Sequence, residues 1–383
     1  MRKLFYICWA IAFIYSVCVI LGAKVSSIGS VFIHKHQLPY EGTREGDLFH
    51  MCKIDKFKLT YEDYLRLMPD STDNTEKEFR YTAYRIDDDI DSAECNLESA
   101  DILIFGDSAL GRIRSLIIQS DKLKVNAIYA YNLKSAGFDK GGYNPLKYFN
   151  DYKPNNKKMK VVIIQTSEPR CYMEALWYDD YRRNSDSIDF EKQLNKFYAN
   201  DHLEYFFTDN LLGYYVFNNI NTVKYNVFSE IDKRIGLYNE EHRMLIHKWS
   251  VNFVKMQKPK STYDAIIDNV NHISKELQNK YNSSLIYAVV PEKFVIYSDY
   301  LQPNFKYDNF LPKLNRKLTR KGIQIVDLYS PYMEYRKNDD SKLLYQPDDV
   351  HYSMFAEQMF LDLLVEKIID VYSAQTDSLS LTY

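Results

Sequence analysis

Five short apolar runs govern what this chain can fold into: Ile102-Leu103-Ile104-Phe105, Val125 to Tyr131, Val161-Val162-Ile163-Ile164, Leu285 to Val290 and Ile323 to Val326. Each is nearly continuous in apolar side chains rather than alternating, the pattern of a strand buried on both faces. Helical patterns separate or follow them, at Leu110 to Ser120, Tyr263 to Lys280, Phe310 to Lys321 and Met354 to Tyr372. This alternation predicts an α/β fold over residues 100–373, in three α/β/α layers around a mainly parallel central sheet. In open sheets of that class the functional residues gather at the carboxyl ends of the strands. The loops that follow the strands therefore carry the argument about function.

Between the third and fourth runs lies an insertion over about 169–261, far longer than a crossover needs. Its pattern is helical and aromatic, which predicts a helical subdomain, because a structureless loop of that length does not suit a compact domain. Ahead of the first strand, residues 24–99 are polar and irregular, with the acidic cluster Asp87-Asp88-Asp89, and read as a stalk and preamble. Residues 374–383 read as a flexible tail.

At the N-terminus Arg2 and Lys3 precede a charge-free apolar run from Leu4 to Ala23. As a helix it is long enough for a hydrocarbon core of about 30 Å, and the basic pair stays on the cytoplasmic side. Residues 1–23 are thus expected to form a single N-terminal transmembrane anchor. A cleaved signal peptide ending at Gly22-Ala23 is the alternative. Either reading makes the rest of the chain extracytoplasmic, in a periplasm or at a cell surface. Cys52, Cys95 and Cys171 then meet an oxidising compartment, which permits a Cys52–Cys95 bridge without selecting it.

Several function classes are disfavoured. A formal net charge of -3 gives no pull toward nucleic acid. The strand-to-helix turns lack the glycine patterns that cradle nucleotides, and Asp87 to Asp89 lack calcium-loop spacing. The absence of CxxC and His-rich spacing argues against structural zinc. Neither cofactor nor metal is expected. The 34 Tyr and 21 Phe, clustered at places such as Tyr178 to Tyr181 and Tyr205 to Phe207, suit sugar stacking as well as core packing.

Two segments can carry chemistry together. Gly106-Asp107-Ser108-Ala109-Leu110-Gly111-Arg112 puts a serine at a strand-to-helix turn. There it caps the helix or serves as a nucleophile beside main-chain N–H groups that favour an oxyanion. Gln346-Pro347-Asp348-Asp349-Val350-His351-Tyr352-Ser353 puts a histidine and two aspartates just before the last helix. This is a helix-capping acidic turn, or the imidazole and carboxylate that a serine nucleophile needs to lose its proton.

Gly106-Asp107-Ser108 resembles the first block of the SGNH (GDSL-type) hydrolases, and Asp348-x-x-His351 resembles their last. Within that superfamily the likeness is closest to the alginate O-acetylation proteins with a terminal Asp-x-His-Trp signature, where this chain has Tyr352 in place of the Trp. Segments after the later strands, at Val161 to Arg170, Val289 to Tyr297 and Val326 to Leu328, extend the resemblance from residue 100 to about 372, excluding much of the insertion. It implies an SGNH, flavodoxin-like fold and assigns Ser108 as nucleophile and His351 as general base. Spacing in general SGNH enzymes selects Asp348 as the orienting carboxylate, and this is the first choice here, whereas the alginate-type spacing selects Asp349, which is kept as the alternative. The Ser108 N–H and Gly137, in Asn132 to Gly137, become the oxyanion candidates. The third block, Gln165-Thr166-Ser167-Glu168, lacks the usual asparagine. Asp107, Arg112, Gln165, Thr166, Arg170 and Lys293 are candidates for substrate contact, Arg170 and Lys293 having an ion pair with a local carboxylate as their other reading.

The implied function is serine-dependent O-acyl transfer or hydrolysis, with O-acetyl groups on a cell-surface polysaccharide or glycan as substrate. A multi-pass membrane O-acyltransferase is the implied partner. Other expectations are a catalytically weak glycan-binding or assembly subunit, and an esterase directed at lipid or peptidoglycan.

Overall fold

The computed structural model describes residues 6, 7, 9–11, 13, 14, 46–69, 101–106, 128–132, 160–171 and 211–380. In chain order their strands are β1 (Ile102–Gly106), β2 (Ile128–Asn132), β3 (Val161–Ser167), β4 (Ile235–Asn239), β5 (Met244–His247), β6 (Ser284–Val290) and β7 (Gln324–Asp327). The helices are α1 (Asp47–Cys52), α2 (Tyr61–Leu67), α3 (Leu211–Phe228), α4 (Lys248–Lys255), α5 (Lys260–Tyr281), α6 (Lys293–Ile296), α7 (Ser298–Leu301), α8 (Phe310–Arg320), α9 (Tyr329–Asn338) and α10 (Met354–Ser380).

The chain is an α/β protein. Five strands form one sheet in the order β2-β1-β3-β6-β7, and each neighbouring pair is parallel. From β1 the chain steps outward to β2, then returns past β1 to β3 and continues the other way. The direction of winding therefore reverses between β1 and β3, and the crevice at their carboxyl ends is where sheets of this kind place ligands.

The apolar runs are continuous because each side of the sheet meets its own core. Ile102 and Ile104 of β1, with Val161 and Ile163 of β3, join a cluster with Phe294, Tyr332, Phe360 and Leu364. Their neighbours Leu103, Phe105, Val162 and Ile164 join another with Ile266, Val270 and Leu277 of α5 and Phe310 and Leu314 of α8. Helix α8 shows the local logic. Phe310, Leu311, Leu314 and Leu318 are buried along one stripe. Gly322 then takes the left-handed conformation at φ 81°, its N–H bonds Thr319 O at 2.9 Å and the Ile323 N–H bonds Leu318 O at 3.2 Å. That Schellman turn delivers Ile323 to the core at the start of β7.

Three expectations need correction. The insertion is not purely helical: within its described part, from Leu211, β4 and β5 pair antiparallel between α3 and α4. Their apolar residues Ile235, Met244, Leu245 and Ile246 are buried, which a short hairpin achieves and a single helical stripe would not. Residues 46–69 are folded rather than a stalk. Leu48, Phe49, Cys52, Ile54 and Phe57 pack with Tyr225, Ile235 and Leu245, while Leu59, Tyr64 and Leu67 join a core of the main sheet. Helix α2 opens on a capping box in which Thr60 and Asp63 satisfy each other's main-chain N–H. Finally, α10 continues to Ser380, beyond the expected boundary at 373.

Cys52 is a buried free thiol rather than half of a bridge, and burial pushes it up to about 12. Cys95 lies outside the described residues. Among the described residues no helix is long and apolar enough to cross a membrane. The run from Leu4 to Ala23 is described only in part, and there Tyr6, Ile7, Trp9, Ile11, Phe13 and Ile14 are exposed.

Candidate functional site

Between α9 and α10 the chain forms a loop closed at its base by an antiparallel bridge between Tyr345 and Tyr352. Gln346 N–H bonds His351 O at 3.1 Å within it. Past the bridge Ser353 turns the chain into α10, its Oγ accepting the Ala356 N–H at 3.1 Å. Helix capping here belongs to the serine, so the aspartates of the loop are available for other work.

At the tip, Asp349 Oδ1 lies 2.9 Å from His351 Nδ1 and also accepts the main-chain N–H groups of Val350 at 2.5 Å and His351 at 3.3 Å. An ionised carboxylate only accepts hydrogen bonds, so this contact sets the Nδ1–H tautomer and makes Nε2 the nitrogen that can take a proton. The Asp349 side chain is 2% exposed and that of His351 13%. The pair is held in place while the imidazole keeps an outlet to the surface.

Asp348 faces another way. Its Oδ2 accepts the Gly46 N–H at 2.9 Å, and its carbonyl accepts the N–H groups of Leu48 at 3.0 Å and Phe49 at 3.1 Å. These are orphan donors of the α1 N-terminus, satisfied here from the far end of the chain. Burial pushes the Asp348 carboxyl above the usual carboxylate range, and the Gly46 N–H opposes that shift. Of the two aspartates left open by spacing, Asp349 orients His351 and Asp348 docks α1.

Lys293, expected as a substrate contact, is enclosed. It begins α6 just beyond β6, and its Nζ donates to Leu245 O at 2.9 Å, Gln346 O at 2.6 Å, Pro347 O at 2.7 Å and Asp349 O at 3.0 Å. Burial pushes the ammonium below its ordinary value, with Asp348 and Asp349 acting against that. Four main-chain acceptors leave it no reach toward a substrate in this conformation.

Beside this loop, Glu168 follows the last residue of β3 directly and is fully buried. Its Oε1 accepts the Tyr307 hydroxyl at 2.7 Å, and its Oε2 accepts the Glu292 N–H at 3.2 Å. Burial raises its carboxyl to about 8, against the Tyr307 and Glu292 hydrogen bonds, which favour the charged form. Sequence reasoning passed over it. Its only signal was position, immediately after a central strand. Gln165 and Thr166 are fully buried within β3, and Arg170 is half-buried. Asp107, Ser108, Arg112 and Gly137 lie outside the described residues.

The loop and the sheet share one edge. Lys293 and Glu168 follow the carboxyl ends of β6 and β3, and β1 runs parallel to β3 toward Gly106 at that same edge. Asp47, at the start of α1, brings a carboxylate oxygen to the pair, and ligand atoms of Asp47, Asp349 and His351 lie within 4.8 Å of one another. Such a set can relay a proton, and its donor types can also hold a cation. Compared with known protein families, with curated proteins and with solved structures, the chain matches none.

Proposed function

We propose that the chain is an extracytoplasmic, serine-dependent O-acyl transferase or esterase acting on a cell-surface polysaccharide or glycan, with a three-layer SGNH-type fold. The observation that carries this reading is the Asp349–His351 contact at the carboxyl edge of a parallel sheet, the edge at which β1 ends on Gly106 and the sequence continues into Asp107 and Ser108.

In this reading the Ser108 hydroxyl attacks the acyl carbonyl while His351 Nε2 takes its proton, and Asp349 stabilises the imidazolium. The carbonyl oxygen becomes an oxyanion facing main-chain N–H groups, with Ser108 and Gly137 as the proposed donors. Collapse expels the leaving group of the acyl donor, which receives the proton from His351, and leaves an acyl-serine. Water or a second sugar hydroxyl then gives its proton to His351 and takes the acyl group. Transfer and hydrolysis differ only in that acceptor. Membrane attachment through residues 4–23 would place the site beside a multi-pass acyltransferase that supplies the acyl group.

The test is hydrolysis of p-nitrophenyl acetate by the full chain, with Ser108→Ala and His351→Ala alongside and a chelator arm included. Activity lost in both variants and insensitive to chelator supports the serine mechanism. Activity that survives Ser108→Ala but falls with chelator moves the chemistry to a cation held by Asp47, Asp349 and His351. Equal rates in all three proteins sink the esterase reading, and glycan binding then becomes the leading role.

A further inference from the structure

We infer that Lys293 is a positioning residue whose buried ammonium holds the loop carrying Asp349 and His351 in its working geometry; this rests on the serine-dependent reading above.

An ammonium has three protons, and four carbonyl oxygens surround this one within 3.0 Å. Three belong to the loop, at Gln346, Pro347 and Asp349, and the fourth to Leu245 of β5. The residue whose side chain orients His351 is therefore itself tied through its main chain to Lys293. The Asp348 carbonyl, which Lys293 does not engage, accepts N–H groups of α1 instead. The loop is thus gripped from inside by a cation and from the other side by a helix N-terminus. Leu245 N–H adds a bond to Pro347 O at 2.8 Å.

Charge-assisted hydrogen bonds are about twice as strong as neutral ones, and carbonyls turned into a buried space must find donors. An apolar side chain at 293 would take the charged donor from all three loop carbonyls, leaving Pro347 O to the Leu245 N–H at 2.8 Å and Gln346 O to the longer Asp349 N–H contact at 3.3 Å. Turning any of them toward another donor rotates the peptides on either side, and Asp349 moves with them. Lys293 stands at the sheet edge, its own carbonyl accepting the Tyr297 N–H at 3.0 Å, so the loop inherits its position from β6.

The experiment compares the full chain with Lys293→Met and Lys293→Gln. Two readouts are taken: hydrolysis of p-nitrophenyl acetate, and the downfield proton resonance of His351 Nδ1–H, assigned by its loss in His351→Gln. In folded Lys293→Met, kcat falls about 100-fold while KM stays within about twofold, as expected when a reacting group is misplaced, and the resonance shifts or disappears. Lys293→Gln returns two N–H donors and recovers part of both signals. It also decides the matter if Lys293→Met does not fold. A folded variant with native kcat and a native resonance, its only defect a lower Tm, overturns the proposal. Failure of both variants to fold overturns it too, because the lysine would then serve the fold as a whole. If the native chain shows no Ser108-dependent hydrolysis, the acyl-transfer reading fails, and the resonance alone still reports whether Lys293 sets the Asp349–His351 pair.

Discussion

Two neighbouring aspartates with opposite tasks make the sharpest contrast at the residue scale. Asp349 sets the tautomer of His351, so Asp349→Asn presents an amide that can favour the wrong tautomer, and kcat is expected to fall on the order of 10³- to 10⁴-fold. Asp348→Ala removes the acceptor for the Gly46 N–H. It is expected to cost about 1 kcal/mol of stability, the usual worth of a helix N-cap, with a far smaller loss of kcat. Steady-state kinetics and urea unfolding on the same two proteins separate these outcomes. Reversed results would return Asp348 to the catalytic role.

Glu168 contributes to the pH dependence of stability. The folded protein holds its proton up to about pH 8, against an ordinary value of 4.5. Between those values the native state binds more protons than the unfolded chain, so this group's contribution is fully present below about 4.5 and is lost as the pH rises toward 8. Glu168→Gln keeps an uncharged side chain across the whole range. Its Tm should therefore decline less from pH 5 to pH 8 than that of the native protein, and parallel pH profiles of Tm would remove the assignment.

At the scale of elements, helix α1 fits only because position 46 has no side chain. A Cβ there would come within 2.3 Å of the Asp348 carbonyl oxygen, although φ at Gly46 is an ordinary -71°. The glycine is required by close approach, not by backbone conformation. Gly46→Ala must push α1 away from the loop. A loss of about 1–3 kcal/mol is expected, the usual cost of overpacking, with a fall in kcat because the same loop carries His351. Chemical unfolding and kinetics check both halves. An alanine variant with native stability would show that α1 does not grip this loop.

Across the whole molecule, residues 46–69 are part of the domain. Phe57 is fully buried and meets Tyr225 of α3 and Tyr238 of β4 edge-on, with ring centroids 5.6 and 5.5 Å apart. Phe57→Ala is expected to lower global stability by about 3–5 kcal/mol. It should do so in a single cooperative transition seen equally by tryptophan fluorescence and circular dichroism. An early separate transition would mean that residues 46–69 and the β4–β5 pair form an independent unit.

What the sequence determined by itself was whatever depends on near neighbours along the chain. Burial on both faces writes itself into consecutive residues, so Val161 to Ile164 and Leu285 to Val290 could be read as strands, and the stripe of α8 could be read as a helix. The pairing of Asp349 with His351 is also local, two residues apart, and spacing narrowed the choice to two aspartates. The short β4 and β5 runs could not be read, because each carries too few apolar residues to show a period. Only the tertiary structure decided what Asp348, Lys293 and Glu168 do. Their partners lie 302 residues away at Gly46, 48 to 56 away at Leu245 and the 346–349 carbonyls, and 139 away at Tyr307. Main-chain acceptors carry no side-chain identity for a sequence to display, and a charged residue destined for burial is written with the same letter as one bound for solvent.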